Sequence, residues 1–267
     1  LNGTCNYILT RMESDQVSFE KALSEAQELG YAEADPTADI DGSDAQAKLA
    51  ILTAAGLGES VLVDSIPLRT IRSIEAVDFV YAKRLGATIR QVSRAERNED
   101  NQVVASVQPM LVPTSSTLAQ VGGSRNMVVV EGESGGETAF AGLGAGGLPT
   151  AVAVVSDLES ITRGTSAVSE ILVKSAPREV VGEFVSPHYI RFVISDRPGI
   201  IAALAGVFSR HGVNIDSILQ EPGWSKEELP FVMTLEACDT ASIREGLKES
   251  ELFDFHQRPP LWMPVLA

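Results

Sequence analysis

The sequence predicts an α+β protein: a mixed, mostly antiparallel sheet with helices on one face, followed by a small βαββαβ unit. Three observations carry this expectation. Apolar residues recur at helical spacing through the first part of the chain. Short runs bounded by Asn, Gly and Pro then take over, as strands do. The last part shows patterns in the order strand, helix, strand, strand, helix, strand, which is a split βαβ arrangement.

Taken in order, Leu1-Asn2-Gly3-Thr4 runs directly into an apolar helical pattern through Tyr7, Ile8 and Leu9. Ser18 is suited to an N-cap and Glu20 to the positive first turn. Phe19, Ala22, Leu23, Ala26 and Leu29 then repeat at helical spacing, so a helix is expected over 19–29 with Gly30 at C′. A second helix is expected over about 44–55, capped by Ser43 and stopped by Gly56, with a polar loop between the two. A helical segment near 74–85 ends at Gly86. Strands are expected at 87–93, 102–111, 126–131 and 138–141, and a helix at 148–162 with Pro149 in its first turn.

Residues 163–187 are rich in turn formers and read as a linker. Beyond it come a strand at 189–195, a helix at 198–210, strands at 214–220 and 230–236, a helix at 240–249 and a strand at 259–265, the pattern of small ferredoxin-like domains. The expected domains are therefore 1–162 and 188–267.

A formal net charge of −15 argues against nucleic acid or an anionic membrane as a main partner. No apolar run approaches the roughly 20 residues that span a bilayer, and the N-terminus has no secretory pattern. Cys5 and Cys238 are far apart in sequence and share no metal-ligand spacing with the three histidines, so they read as reduced thiols of a cytoplasmic protein without a metal site. The chain opens without a methionine, as a segment of a longer polypeptide would.

Between the first two helices, Gly30 to Lys48 holds five carboxylates (Glu33, Asp35, Asp39, Asp41 and Asp44) and one lysine. Asp44 and Lys48 stand four apart on one helix and share a face. A carboxylate beside an ammonium suits a small zwitterion, because one can hold the amino group while the other serves a carbonyl oxygen. The same charges also describe a solvated helix entry with an ordinary surface pair. The spacing does not give the alternate oxygen ligands of an EF-hand.

The stretch from Ala26 to Lys48, with Gly30-Tyr31, Asp35-Pro36, Asp39-Ile40, Gly42, Asp44 and Lys48 at these intervals, resembles the signature of homoserine dehydrogenases. Leu1-Asn2-Gly3-Thr4 with Asn6-Tyr7-Ile8-Leu9 resembles the segment that follows the family's dinucleotide-binding domain. Gly142 to Ala151 resembles its glycine-rich return toward the cofactor. The resemblance implies hydride transfer between homoserine and aspartate semialdehyde with NADP or NAD. Carried over by position, Lys48 is the acid, Glu33 and Asp44 bind the substrate amino group, Asp39 supports them, and Gly30 and Gly146 admit the nicotinamide end of the cofactor. No glycine-rich phosphate fingerprint follows an N-terminal strand, so this chain alone is expected to be inactive.

Tyr189 to Ala202, followed by Gly212 to Ile218, resembles an ACT domain. That implies a homodimer or higher homo-oligomer, with threonine as effector in a regulatory site. Gly199 would expose backbone N–H groups to a carboxylate, and Asp196 and Asn214 would hold an ammonium. The same residues would also serve a purely structural dimerisation module. The rival reading of the whole is a non-enzymatic amino-acid-binding regulator containing an ACT domain.

Overall fold

The computed structural model describes residues 1–164, 176–182 and 184–266. Of the expected linker at 163–187, residues 165–175 and 183 lie outside the described residues, while Arg178 within it forms a parallel bridge with Val61. The chain divides into two compact units, one of residues 1–76, 90–109 and 114–182, the other of 77–89, 110–113 and 183–267.

In the first unit, α1 (Gly3–Asp15) starts at Asn2, whose side chain accepts a hydrogen bond from the Cys5 amide at 2.9 Å. Its buried residues Ile8, Leu9 and Met12 pack with α2 (Phe19–Glu28), which buries Phe19, Ala22 and Ala26. Ser18 caps α2 as its sequence suggests, accepting from the Lys21 amide, and Gly30 follows the helix with φ +75°. A short helix that the periodicity did not announce, α3 (Thr37–Ile40), precedes α4 (Ser43–Leu57).

The ends of α4 differ from expectation. Its cap is Gly42 at φ +96°, where Gln91 and the Val107 methyl leave no room for a Cβ without adjustment. Ser43 is already helical. Gly56 does not stop the helix, which runs on to Gly58 at φ +67°. A helical glycine costs only about 1 kcal/mol, and the helix is held by Ala45 and Leu49 packing with Val61, Ile66, Val103 and Val107.

β1 (Ala87–Arg97) and β2 (Val103–Pro113) form one two-stranded ladder. β3 (Arg125–Gly132) and β4 (Gly136–Leu143) form another, antiparallel, with Arg125 opposite Leu143 and Gly132 opposite Gly136. The helix α6 (Gly147–Thr162) follows, and none of its residues is buried.

The second unit has the expected βαββαβ order: β5 (Ser186–Ile194), α7 (Ile200–Arg210), β6 (Ile215–Gln220), β7 (Leu229–Cys238), α8 (Thr240–Ser250) and β8 (His256–Pro264). Its strands lie in the order β6-β7-β5-β8 with every neighbouring pair antiparallel. Ile190, Phe192 and Ile194 alternate onto one face of β5, where they join Phe231, Met233, Ile200, Leu204, Phe208 and Ile243 in a single core.

Tyr189 and Arg191 point to the opposite face, which belongs to α5 (Ala76–Arg84). Asp78 on that helix accepts 2.7 Å hydrogen bonds from both the Tyr189 hydroxyl and Arg191 Nε. The α+β class with mostly antiparallel strands is what the structure has; a helix on each face of the second sheet is what the pattern did not show. Among the described residues, no helix is long and apolar enough to cross a membrane.

Candidate active site and effector cavity

The acidic loop separates into structural and clustered carboxylates. Just before α3, Asp35 accepts from the Thr37 hydroxyl at 2.6 Å and its amide at 3.1 Å, and these bonds hold its carboxyl below the ordinary carboxylate value. Asp41 pairs with Arg72 at 2.9 Å and accepts from the Thr70 hydroxyl. Both charges are therefore engaged in shaping the loop.

Asp39 and Asp44 converge on one nitrogen. The Asn2 amide donates to Asp39 Oδ1 at 2.6 Å and to Asp44 Oδ2 at 2.8 Å, while its oxygen caps α1. Lys48 Nζ lies 2.6 Å from Asp44 Oδ2, as the four-residue spacing requires, and 3.5 Å from the Leu1 carbonyl. The pair is half-exposed, so it is open to a solute, whereas Asn2 is buried. Two carboxylates, one ammonium and a neutral amide that spends both its N–H groups on the carboxylates make a polar cluster with a fixed arrangement.

The loop's approach is fixed from α1. The Thr4 hydroxyl donates to the Tyr31 carbonyl at 2.6 Å, and the Tyr7 and Tyr31 rings are 4.9 Å apart. The buried Cys5 thiol donates to the Asp39 carbonyl at 3.1 Å, and burial raises its pKa well above the thiol's ordinary value. It is a filler of the core and not a nucleophile.

The predicted residues are not all gathered. Asp39, Asp44 and Lys48 are brought together. Glu33 is exposed, with its carbonyl accepting from Gln27 Nε2 and its carboxylate in no hydrogen bond or ion pair among the described residues. Gly30 has open space where a Cβ would be, and Gly146 begins α6 with φ +120°. At Gly144 a Cβ would fall 1.9 Å from Asn126 Nδ2, so a larger residue there would displace the end of that side chain. Asn126 in turn donates to the Leu1 carbonyl at 3.3 Å, the same oxygen that Lys48 approaches.

Sequence reasoning missed Asn2 and Asn126. For Asn2 a signal existed, since Asn just before an apolar helical run is a strong N-cap; its bonds to residues 37 and 42 positions away had none.

In the second unit, a cavity of about 220 Å³ is lined by Asp196, Gly199, Ile200, Gln220, Leu229 and Phe231, among others. That is smaller than the roughly 300–1,000 Å³ of pockets for drug-sized ligands. Gly199, at φ +96°, starts α7, so the helix N-terminus opens beside the Asp196 carboxylate. Asn214 is not among the lining residues. Its amide donates to Glu236 at 3.1 Å.

Comparison with known proteins follows these two units. The family model for homoserine dehydrogenase matches residues 1–158, and that for the ACT domain matches residues 188–249. The homoserine dehydrogenase of Synechocystis is 41% identical over 280 residues, a match covering 100% of this chain and 64% of that protein. The crystal structure of a homoserine dehydrogenase from Thiobacillus denitrificans superposes with a TM-score of 0.84 at 29% identity, covering 100% of this chain and 62% of the other. A hyperthermophilic archaeal homoserine dehydrogenase in complex with NADPH gives a TM-score of 0.50 at 30% identity, covering 61% of this chain and 46% of that one. The chain thus spans less than two thirds of the length of these relatives.

Proposed function

Because the chain belongs to the homoserine dehydrogenase family, we propose that its first unit supplies the substrate site and the acid of an enzyme that interconverts L-aspartate 4-semialdehyde and L-homoserine, in the biosynthesis of threonine, methionine and isoleucine. The observation that carries the reading is the convergence of Asp39 and Asp44 on Asn2 beside Lys48.

A nicotinamide cofactor, NADP or NAD, supplies or accepts the hydride in this chemistry, and the archaeal relative is seen with NADPH. The open backbone at Gly30, and a Gly146 without a side chain, suit the approach of a flat ring. On this chain, Asp44 and Glu33 hold the substrate ammonium and Asp39 supports Asp44 through Asn2. Lys48 gives its proton to the carbonyl oxygen as negative charge develops there, and its ammonium stabilises that charge electrostatically. A sensor that bound amino acids without reacting them would have no use for a lysine pressed between a carboxylate and an open face.

In the full-length enzyme, Lys48→Ala is expected to lower turnover about 10²-fold or more, as loss of a general acid does. NAD(P)-linked oxidation of L-homoserine measures it, and near-normal turnover would refute the role.

The second unit is proposed as the regulatory domain of a cytoplasmic homodimer or higher homo-oligomer, with L-threonine as feedback inhibitor. The α7 N-terminus would receive its carboxylate, and Asp196 its ammonium. Titration of L-threonine into the chain by calorimetry, with Asp196→Ala as comparison, tests this. Equal binding by both proteins would remove Asp196 from the site.

A further inference from the structure

The cavity is walled in part by the end of β6 and the start of β7, and one buried hydroxyl from outside the βαββαβ unit fastens these two segments. Tyr81, on α5, donates to the Pro230 carbonyl at 3.0 Å and accepts from the Glu221 amide at 3.1 Å. Pro230 stands between the lining residues Leu229 and Phe231, and Glu221 directly follows the lining residue Gln220. The phenol ring is fully buried.

A second link joins the same partners. Arg84 Nη1 lies 2.7 Å from Glu221 Oε1, close enough for an ion pair although the two are not aligned as a hydrogen bond. Toward its start, α5 is anchored by Asp78 to Tyr189 and Arg191 of β5. Asp78, Tyr81 and Arg84 recur every three residues, so one stripe of the helix faces the sheet. Beyond Gly86 the chain becomes β1, whose residues from Arg90 onward belong to the first unit.

We infer that Tyr81 is a positioning residue of the effector cavity and that α5, through its hydroxyl, responds to occupation of that cavity. A ligand that draws Gln220 or the Leu229–Phe231 segment inward moves both groups bonded to the phenol at once. Because packed elements shift as units and not by continuous deformation, the helix must follow or release the bond. Burial raises the pKa of Tyr81 above the ordinary phenol value, which keeps the proton that the Pro230 bond needs. The inference rests on the proposal that the cavity binds a small amino acid.

The test is hydrogen–deuterium exchange on the whole chain with and without L-threonine, in the wild type and in Tyr81→Phe, which keeps the ring and loses only the hydroxyl. Calorimetry on the same samples reads binding separately. The expected result is that threonine slows exchange at 76–84 about fivefold or more in the wild type, a typical coupling between linked sites, and that Tyr81→Phe still binds it while the response at 76–84 is lost. Binding with no response at 76–84 in the wild type, or the same response in Tyr81→Phe, overturns the inference alone. Absence of threonine binding by the wild type overturns the effector reading and the inference with it, and calorimetry tells the two failures apart.

Discussion

Removing the Asp78 carboxylate is the sharpest perturbation the second unit offers. Asp78 and Tyr189 are 0% exposed and Arg191 is 4% exposed, with both donors 2.7 Å from the same oxygen. In Asp78→Ala the guanidinium keeps its burial but loses its carboxylate, a change that costs about 3–5 kcal/mol in buried pairs. The Tyr189 hydroxyl loses its acceptor as well, for roughly another 1 kcal/mol. With a urea dependence of about 1–3 kcal/mol per molar, the unfolding midpoint should fall by roughly 2 M. Trp224 and Trp262 are the only tryptophans, and both lie in the second unit, so their fluorescence follows that unit alone. Adding Arg191→Met to Asp78→Ala should recover much of the loss, because the buried charge goes with it. A fall of less than about 0.5 M in the single variant would mean that the helix is held by its apolar contacts and that the ion pair is incidental.

Two further outcomes are expected. Asn2→Ser keeps an oxygen to cap α1 but loses the two amide donors to Asp39 and Asp44. It should cost about 1 kcal/mol of stability or less while raising KM for L-homoserine in the full-length enzyme about tenfold, the worth of one hydrogen bond to a charged group. An unchanged KM would show that the carboxylates hold their places unaided. His256 places Nε2 2.9 Å from the Ser250 carbonyl and has a buried Nδ1 without a hydrogen-bond partner among the described residues; burial lowers its pKa from 6.5. The unfolded chain then takes up a proton first as pH falls, so stability is level above about 6.5 and declines below it. His256→Phe should flatten that decline in urea titrations between about pH 7 and 5. Asp239, held low by the Ser242 amide, and Glu249, held low by Arg210, act only at more acid pH. Parallel decline in the two proteins would place the source elsewhere.

What the sequence made legible is what depends on local chemistry. Ser18 caps α2 because its hydroxyl reaches an amide three residues on, and the order of elements along the second unit follows from alternation at 189–195 and 230–236 against helical spacing at 198–210. Gly56 misled because a glycine is only weakly unfavourable inside a helix, and the packing of Ala45 and Leu49 decides where α4 runs. The same division holds in the candidate active site. Asp44 and Lys48 meet by helical geometry alone, whereas Asp39 joins them through an asparagine 37 residues away, and no spacing rule reaches that far. Asp196 and Gly199 share a cavity through a local turn, while Asn214, placed beside them by analogy, is turned toward Glu236.

Helix α5 shows the limit of pattern reading most clearly. Its span is visible from periodicity, but periodicity names a face and not what the face meets. The polar residues Asp78 and Tyr81 interrupt an otherwise apolar stretch, Ala76 to Ala82, at a spacing of three. A solvated face would allow any polar residue there. A carboxylate and a phenol that are both fully buried are tolerated only where each finds a partner, and those partners lie more than a hundred residues further along, at Tyr189, Arg191, Glu221 and Pro230. Replacing the pair by Leu would preserve the helix and its amphipathic pattern while removing its hydrogen bonds to Tyr189, Arg191, Glu221 and Pro230. A helix chosen only for packing would not need such contacts, so the cost of burying two polar groups at these positions is accounted for by the specific register they impose between α5 and the strands that wall the cavity.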